Sequence, residues 1–130
     1  MKVNELEQVE VIFVATGVQR RWCHTWSDVI WVDSKHAVLS ARWYVVSFNV
    51  LSANGSTLPG AFLLMRSEVS ENWKWGLREF GMAAQKAHGE WQEPSVVFQD
   101  DDSTLNSVVP QVWKESQVHH CLWHMKRAWE

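Results

Sequence analysis

The sequence predicts an α/β fold: a mixed five-stranded sheet, built as a three-strand antiparallel meander followed by αβαβ, with helices packed on its faces. Three observations carry this prediction. In "DVIWVDS" the residues after Asp28 are continuously apolar until the run meets an acid at Asp33, the pattern of a buried strand whose end reaches a polar site. Two apolar runs in "RWYVVSFNVLSANGSTLPGAFLLMRS" flank Asn54 and Gly55, residues suited to the turn of an antiparallel hairpin. Beyond the hairpin, apolar stripes of helical spacing alternate with short apolar strands.

Taken in order, "VEVIFVATG" is a β-branched run ending at Gly17, and "VQRRWCHTWSD" after it reads as a short helix. These residues, 1–27, form a flanking segment ahead of the main unit, which runs over 28–130. After the hairpin, Ser70 is placed to cap a helix, and Glu71 sits where the positive end of the helix dipole favours an anion. Trp73, Leu77, Phe80, Ala84 and Ala87 recur at spacings of four, three, four and three, which puts them on one apolar stripe. Pro94 closes that segment, and "PSVVFQD" is a short strand ending on Asp100. Leu105, Val108, Val109, Val112 and Trp113 share the next helical face, with Asp102 or Ser103 as its cap. Pro110 lies inside that stripe and should kink or shorten the helix at a cost of about 3 kcal/mol. "QVHHCLW" then reads as a strand, and "HMKRAWE" as the opening of a helix that the chain end cuts off, so the sheet is expected to be truncated at its C-terminus.

A chain of 130 residues fits one domain that buries roughly two-thirds of its unfolded surface. With 46% hydrophobic residues and ten Trp it is unlike a disordered tail. No apolar run approaches the roughly 18 residues of a membrane span, and "MKVNELEQVE" carries three Glu where a secretory leader would be apolar, so no membrane partner and no secretion are expected. Cys23 and Cys121 are accordingly expected as reduced thiols or as metal ligands rather than a disulfide. A net charge of −3 argues against nucleic-acid binding by charge alone, and any work on DNA would need metal ions or another domain. The basic spots at Arg20–Arg21 and Lys126–Arg127 read as solvated faces.

In a sheet of this order, the strand after the first helical crossover commonly lies beside the first strand, which would bring Asp33 and Asp100 together. Two adjacent carboxylates stay ionised cheaply only with a cation between them. Oxygen donors at strand ends suit Mg²⁺ or Mn²⁺, and two such ions about 3.5–4 Å apart support phosphoryl transfer. On pattern alone, Asp100, Asp101 and Asp102 read first as only a strand end and a helix cap. Cys121 and His124 have the spacing of half a Zn²⁺ site, completed by His119, His120 or the Cys23–His24 pair, and a buried Cys with a surface His explains the spacing as well. Trp73 and Trp113, on their stripes, read as core.

Together these segments resemble the catalytic domain of Mutator-like element (MULE) transposases, over about Asp28 to Trp129. "IWVDSKHAV" looks like that family's first-aspartate strand. "LPGAFLLMRSEVSENWKWGLREF" is similar to its third strand and helix, with a Glu-x-x-x-Asn-Trp signature at Glu68, Asn72 and Trp73. "VVFQDDDSTLNSVVPQVW" is similar to its second-aspartate segment, and "HHCLWH" to its Cys-x-x-His motif. The resemblance implies an RNase H-like fold and a DDE-type acid triad holding two Mg²⁺ or Mn²⁺ ions for DNA cleavage and strand transfer in the nucleus. It assigns Asp33 and Asp100 as the first two acids, and Asp102, Cys121 and His124 as supporting residues. The third acid comes after the Cys-x-x-His motif, where this chain offers Glu130. DNA would be the partner, and a homo-oligomer is left open. Ser34, Lys35 and His36 stand where the family shows an Ala-Thr-Tyr-like run, and Pro110 breaks a helix the family keeps regular. These departures keep a second function in view, a domesticated and catalytically silent relative acting as a DNA-binding or transcriptional regulator.

Overall fold

A computed structural model describes residues 1–35, 43–99 and 103–120. They form a mixed α/β fold of seven strands and three helices: β1 (Lys2–Val3), β2 (Val9–Val14), α1 (Gly17–Trp26), β3 (Val29–Lys35), β4 (Tyr44–Leu51), β5 (Thr57–Met65), α2 (Ser70–His88), β6 (Val96–Gln99), α3 (Ser103–Val112) and β7 (Gln117–His120). All seven strands join one sheet in the order β1-β2-β5-β4-β3-β6-β7.

The meander is present as expected. β3 runs antiparallel to β4, and β4 to β5, through a tight connection in which Gly55 takes φ +84° and Asn54 Oδ1 accepts the Ser56 amide at 3.1 Å. β6 then lies parallel beside β3, and β7 parallel beside β6. The expectation of five strands is corrected to seven. β2 pairs antiparallel with the outer edge of β5, Val11 opposite Met65 and Phe13 opposite Leu63, and β1 folds back onto β2. The cause is the free hydrogen-bonding edge of β5, which a β-branched strand covers.

The helices differ from expectation in their side. Val32, Phe48, Leu63 and Val97 face one way and share a single buried cluster with Cys23 of α1, Trp73, Leu77, Phe80 and Ala84 of α2, and Leu105, Val108, Val109 and Trp113 of α3. All three described helices therefore lie on one face. β5→β6 and β6→β7 advance across the sheet in the same direction, and right-handed crossovers that do so put their helices on the same side. Two glycines permit close approach. A Cβ on Gly76 of α2 would collide with Leu63, and one on Gly60 of β5 would stand 2.9 Å from Cys23 Sγ.

One local expectation is also corrected. Ser70 is the first helical residue of α2, and the cap is Val69, which makes no side-chain capping bond. α1 carries the full device instead: Thr16 Oγ1 accepts the Gln19 amide at 3.2 Å while the Gln19 side chain accepts the Thr16 amide at 2.9 Å. Pro110 lies inside α3, which ends two residues later at Val112. Among the described residues, no helix is long and apolar enough to cross a membrane.

Candidate functional site

The carboxyl ends of β3, β5 and β6 point the same way, because β3 and β5 are both antiparallel to β4 and β6 is parallel to β3. In open α/β sheets this end is where ligands gather. It collects Asp33, Ser34 and Lys35 from β3, Glu68 from the connection that follows β5, and Gln99 from β6.

Asp33 pairs with Ser47 across β3 and β4, on the face of the sheet away from the three helices. It is half-buried, and no described residue donates a side-chain hydrogen bond to its carboxylate. Ser34 points to the opposite face, and its hydroxyl donates to Glu68 Oε1 at 2.6 Å, the length of a charge-assisted bond. Glu68 is itself half-buried. The loop that carries it is fixed by Asn72, 1% exposed, whose Nδ2 donates to the Ser67 carbonyl at 2.9 Å and whose Oδ1 accepts from Lys2 Nζ at 3.2 Å. Glu68 belongs to the Glu-x-x-x-Asn-Trp signature, which by itself assigns it no role. An acid between a strand and the helix that follows was the available signal.

Gln99, 1% exposed, donates through Nε2 to Asn106 Oδ1 of α3, while its Oε1 has no hydrogen-bond partner. Trp73 Nε1 is likewise buried without a partner. Unsatisfied buried polar atoms are uncommon, and Gln99 stands directly before Asp100 in the chain. Of the other residues singled out from sequence, Asp100, Asp102, Cys121, His124 and Glu130 lie outside the described residues.

The Cys23–His24 pair is set into the helical layer, away from this end of the sheet. Cys23 is a free, fully buried thiol that donates to the Gly60 carbonyl at 3.2 Å, and burial pushes its pKa from 9.0 up to about 12. Such a group remains a neutral thiol and is a poor metal ligand at neutral pH. Its contribution to stability is complete below pH 9.0 and is lost as pH rises toward about 12, because the folded chain holds the proton longer than the unfolded one. His24 Nδ1 lies 3.2 Å from the Ala84 carbonyl. His119 stands on the outer strand β7 against the Phe98 ring, centroids 5.9 Å apart.

A cleft of about 690 Å³ opens at the other end of β6, lined by Gln92, Glu93, Pro94, Ser95, Lys114 and Gln117. The carboxylate bonds at this cleft go to structure, from the Glu115 amide to Glu93 Oε2 at 3.2 Å and from the Ser95 hydroxyl to Asp28 Oδ1 at 2.6 Å. Among the described residues, no three His, Cys, Asp or Glu side chains come together as a metal-holding group.

Comparison with known proteins adds two findings. A family model, that of the MULE transposase domain, matches residues 29–128. Protein FAR1-RELATED SEQUENCE 6 of Arabidopsis thaliana is 23% identical over 127 residues, which cover 98% of this chain and 17% of that protein. The chain thus spans about one-sixth of the length of the relative it matches.

Proposed function

With residues 29–128 of 130 matched, the chain belongs to the MULE transposase domain family, and we propose that it is the DNA-processing core of a transposase-derived protein of DDE type, working in the nucleus. The observation that carries this reading is the parallel register of β3 and β6. Val32, the residue before Asp33, pairs with Gln99, the residue before Asp100. The run β5-β4-β3-β6-β7, three antiparallel strands and then two parallel ones, supports an RNase H-like arrangement of the sheet.

In this reading Asp33 and Asp100 hold two Mg²⁺ or Mn²⁺ ions, Asp102, Cys121 and His124 support them, and Glu130 is the third acid that this sequence offers. The residues fit such ions. Asp33 presents a half-buried carboxylate uncommitted to any described side chain, and the donors at this end of the sheet are oxygens, which hard divalent cations prefer. Bound ions would supply charge stabilisation on the phosphodiester oxygens and lower the pKa of the attacking group. The chain's own part is to hold that carboxylate on a rigid central strand, backed by the helical layer, so that water and then a DNA 3′-hydroxyl meet a fixed scissile phosphate. A net charge of −3 leaves DNA attraction to local groups or to further parts of the protein.

A second reading is favoured by Ser34, Lys35 and His36, which replace the family's usual run after the first acid: a transposase-derived DNA-binding regulator without catalysis. A Mg²⁺-dependent nicking assay on duplex DNA separates the two. Asp33→Asn and Asp100→Asn should each cut the rate about a thousandfold, several kcal/mol of transition-state stabilisation at about 1.4 kcal/mol per factor of ten. Nicking that survives both substitutions would sink the catalytic reading, and duplex binding without nicking by the unsubstituted chain would establish the regulator.

A further inference from the structure

At the carboxyl end of the sheet, the residue that follows Asp33 holds a second carboxylate in place. We infer that Glu68 supplies a further oxygen donor to the divalent-ion site built on Asp33, and that Ser34 is the positioning residue that aims it. This inference rests on the metal-site reading proposed above and adds to it a residue that the reading does not include.

The first argument is geometric. Glu68 arrives on the β5–α2 connection, at the same end of the sheet where β3 finishes, and its Oε1 is fixed by Ser34 Oγ at 2.6 Å. Asp33 and Ser34 are consecutive, so their Cα atoms stand about 3.8 Å apart while their side chains take opposite faces. A carboxylate gripped at Ser34 therefore reaches the end of β3 from the helical side, as Asp33 meets it from the other. The bond to Ser34 occupies one acceptor site of a group that has about four, and leaves Oε2 uncommitted to any described residue.

The second argument is the cost of keeping Glu68 there. A half-buried carboxylate loses hydration that one hydroxyl does not fully replace, and no described cationic side chain forms an ion pair with it. The nearby Lys2 is bound instead to the Asn72 amide oxygen. The third argument is independent of any acid. Gln99 turns its side chain to the same face as Ser34, is 1% exposed, and leaves Oε1 without a donor. A buried neutral oxygen without a donor and a half-buried carboxylate with a single donor, at one end of a sheet, are oxygens that a hard cation can use.

The test uses Mn²⁺ alone, titrated against the chain and read from the electron paramagnetic resonance of the free ion, with circular dichroism as the folding control. Glu68→Gln is expected to weaken Mn²⁺ affinity about tenfold or more, and Ser34→Ala by a smaller factor, since it removes the orienting bond and keeps the charge. Glu71→Gln, an exposed acid three residues along that pairs with Lys74 at 3.7 Å, is expected to leave affinity unchanged. Asp33→Asn abolishing Mn²⁺ binding while Glu68→Gln preserves it overturns the role of Glu68 and leaves the metal-site reading standing. No Mn²⁺ binding by the unsubstituted chain overturns both. An equal loss from Glu71→Gln shows a diffuse field effect and overturns the inference. Should Glu68→Gln fail to fold, Ser34→Ala decides: an unchanged affinity there overturns it.

Discussion

Asp28, just before β3, and Asp33, five residues on toward its carboxyl end, are used in opposite ways. Asp28 is spent on structure. Its Oδ1 accepts the Ser95 hydroxyl at 2.6 Å, and its carbonyl accepts the amides of Ser95 at 2.8 Å and Val96 at 3.2 Å. Beside it the buried Ser27 hydroxyl accepts Trp91 Nε1 at 2.7 Å, and the Gln117 amide donates to the Ser95 carbonyl at 2.9 Å. The amino ends of β3, β6 and β7 are thereby stitched together. At the other end no described side chain donates to Asp33, and Gln99 Oε1 is left without a partner. An acid bonded to its neighbours helps hold a fold together, and one that the fold leaves without a side-chain bond is available for chemistry.

The contrast would break most visibly in the aromatic group behind the stitched end. Phe80 lies 5.2 Å from Phe48, 5.9 Å from Trp91 and 5.7 Å from Trp113, ring centre to ring centre, and is fully buried. Phe80→Ala should cost about 3–5 kcal/mol in chemical denaturation, from lost burial and the cavity left behind. A cost below about 1 kcal/mol would show that this end does not bear the stability assigned to it.

Much of this arrangement was legible in the sequence. The run from Val29 to Asp33, the hairpin about Gly55 and the stripe Trp73, Leu77, Phe80 and Ala84 each repeat a local period, and a local period is what a sequence displays. The adjacency of β3 and β6 followed from the element order. The pairing of β2 with β5 was not legible, because edge pairing joins residues about fifty positions apart and any β-branched run could serve. The cap of α2 was misread because Ser70 has the chemistry of a cap, while the turn of the chain places Val69 there. In the site, Asp33 was visible as the acid that ends an apolar run. Glu68 is visible only as an acid between a strand and a helix; its contact with Ser34, 34 residues away, has no local signature.

A smaller effect tests the stitched end directly. Asp28→Ala should lower stability by about 1 kcal/mol, the usual net worth of a lost hydrogen bond, because the Ser95 bond is exposed and the backbone bonds to the Asp28 carbonyl remain. Ser95→Ala should cost a similar amount, and the double substitution little more than either alone, since both remove one bond. Full additivity in that cycle would show that the two side chains act separately and would remove Asp28 from the comparison.

The smallest effect is expected at Asp33 itself, and it is the most discriminating. Asp33→Asn keeps size and shape, removes the charge, and breaks no side-chain bond to a described residue. The substitution therefore should leave stability within about 0.5 kcal/mol. Added Mn²⁺ should separate the two proteins further, stabilising the unsubstituted chain in proportion to the logarithm of ion concentration over Kd and the Asn variant far less. A loss above about 1 kcal/mol in the absence of metal would mean that Asp33 carries structural bonds as Asp28 does, and the distinction between the two ends of β3 would fail.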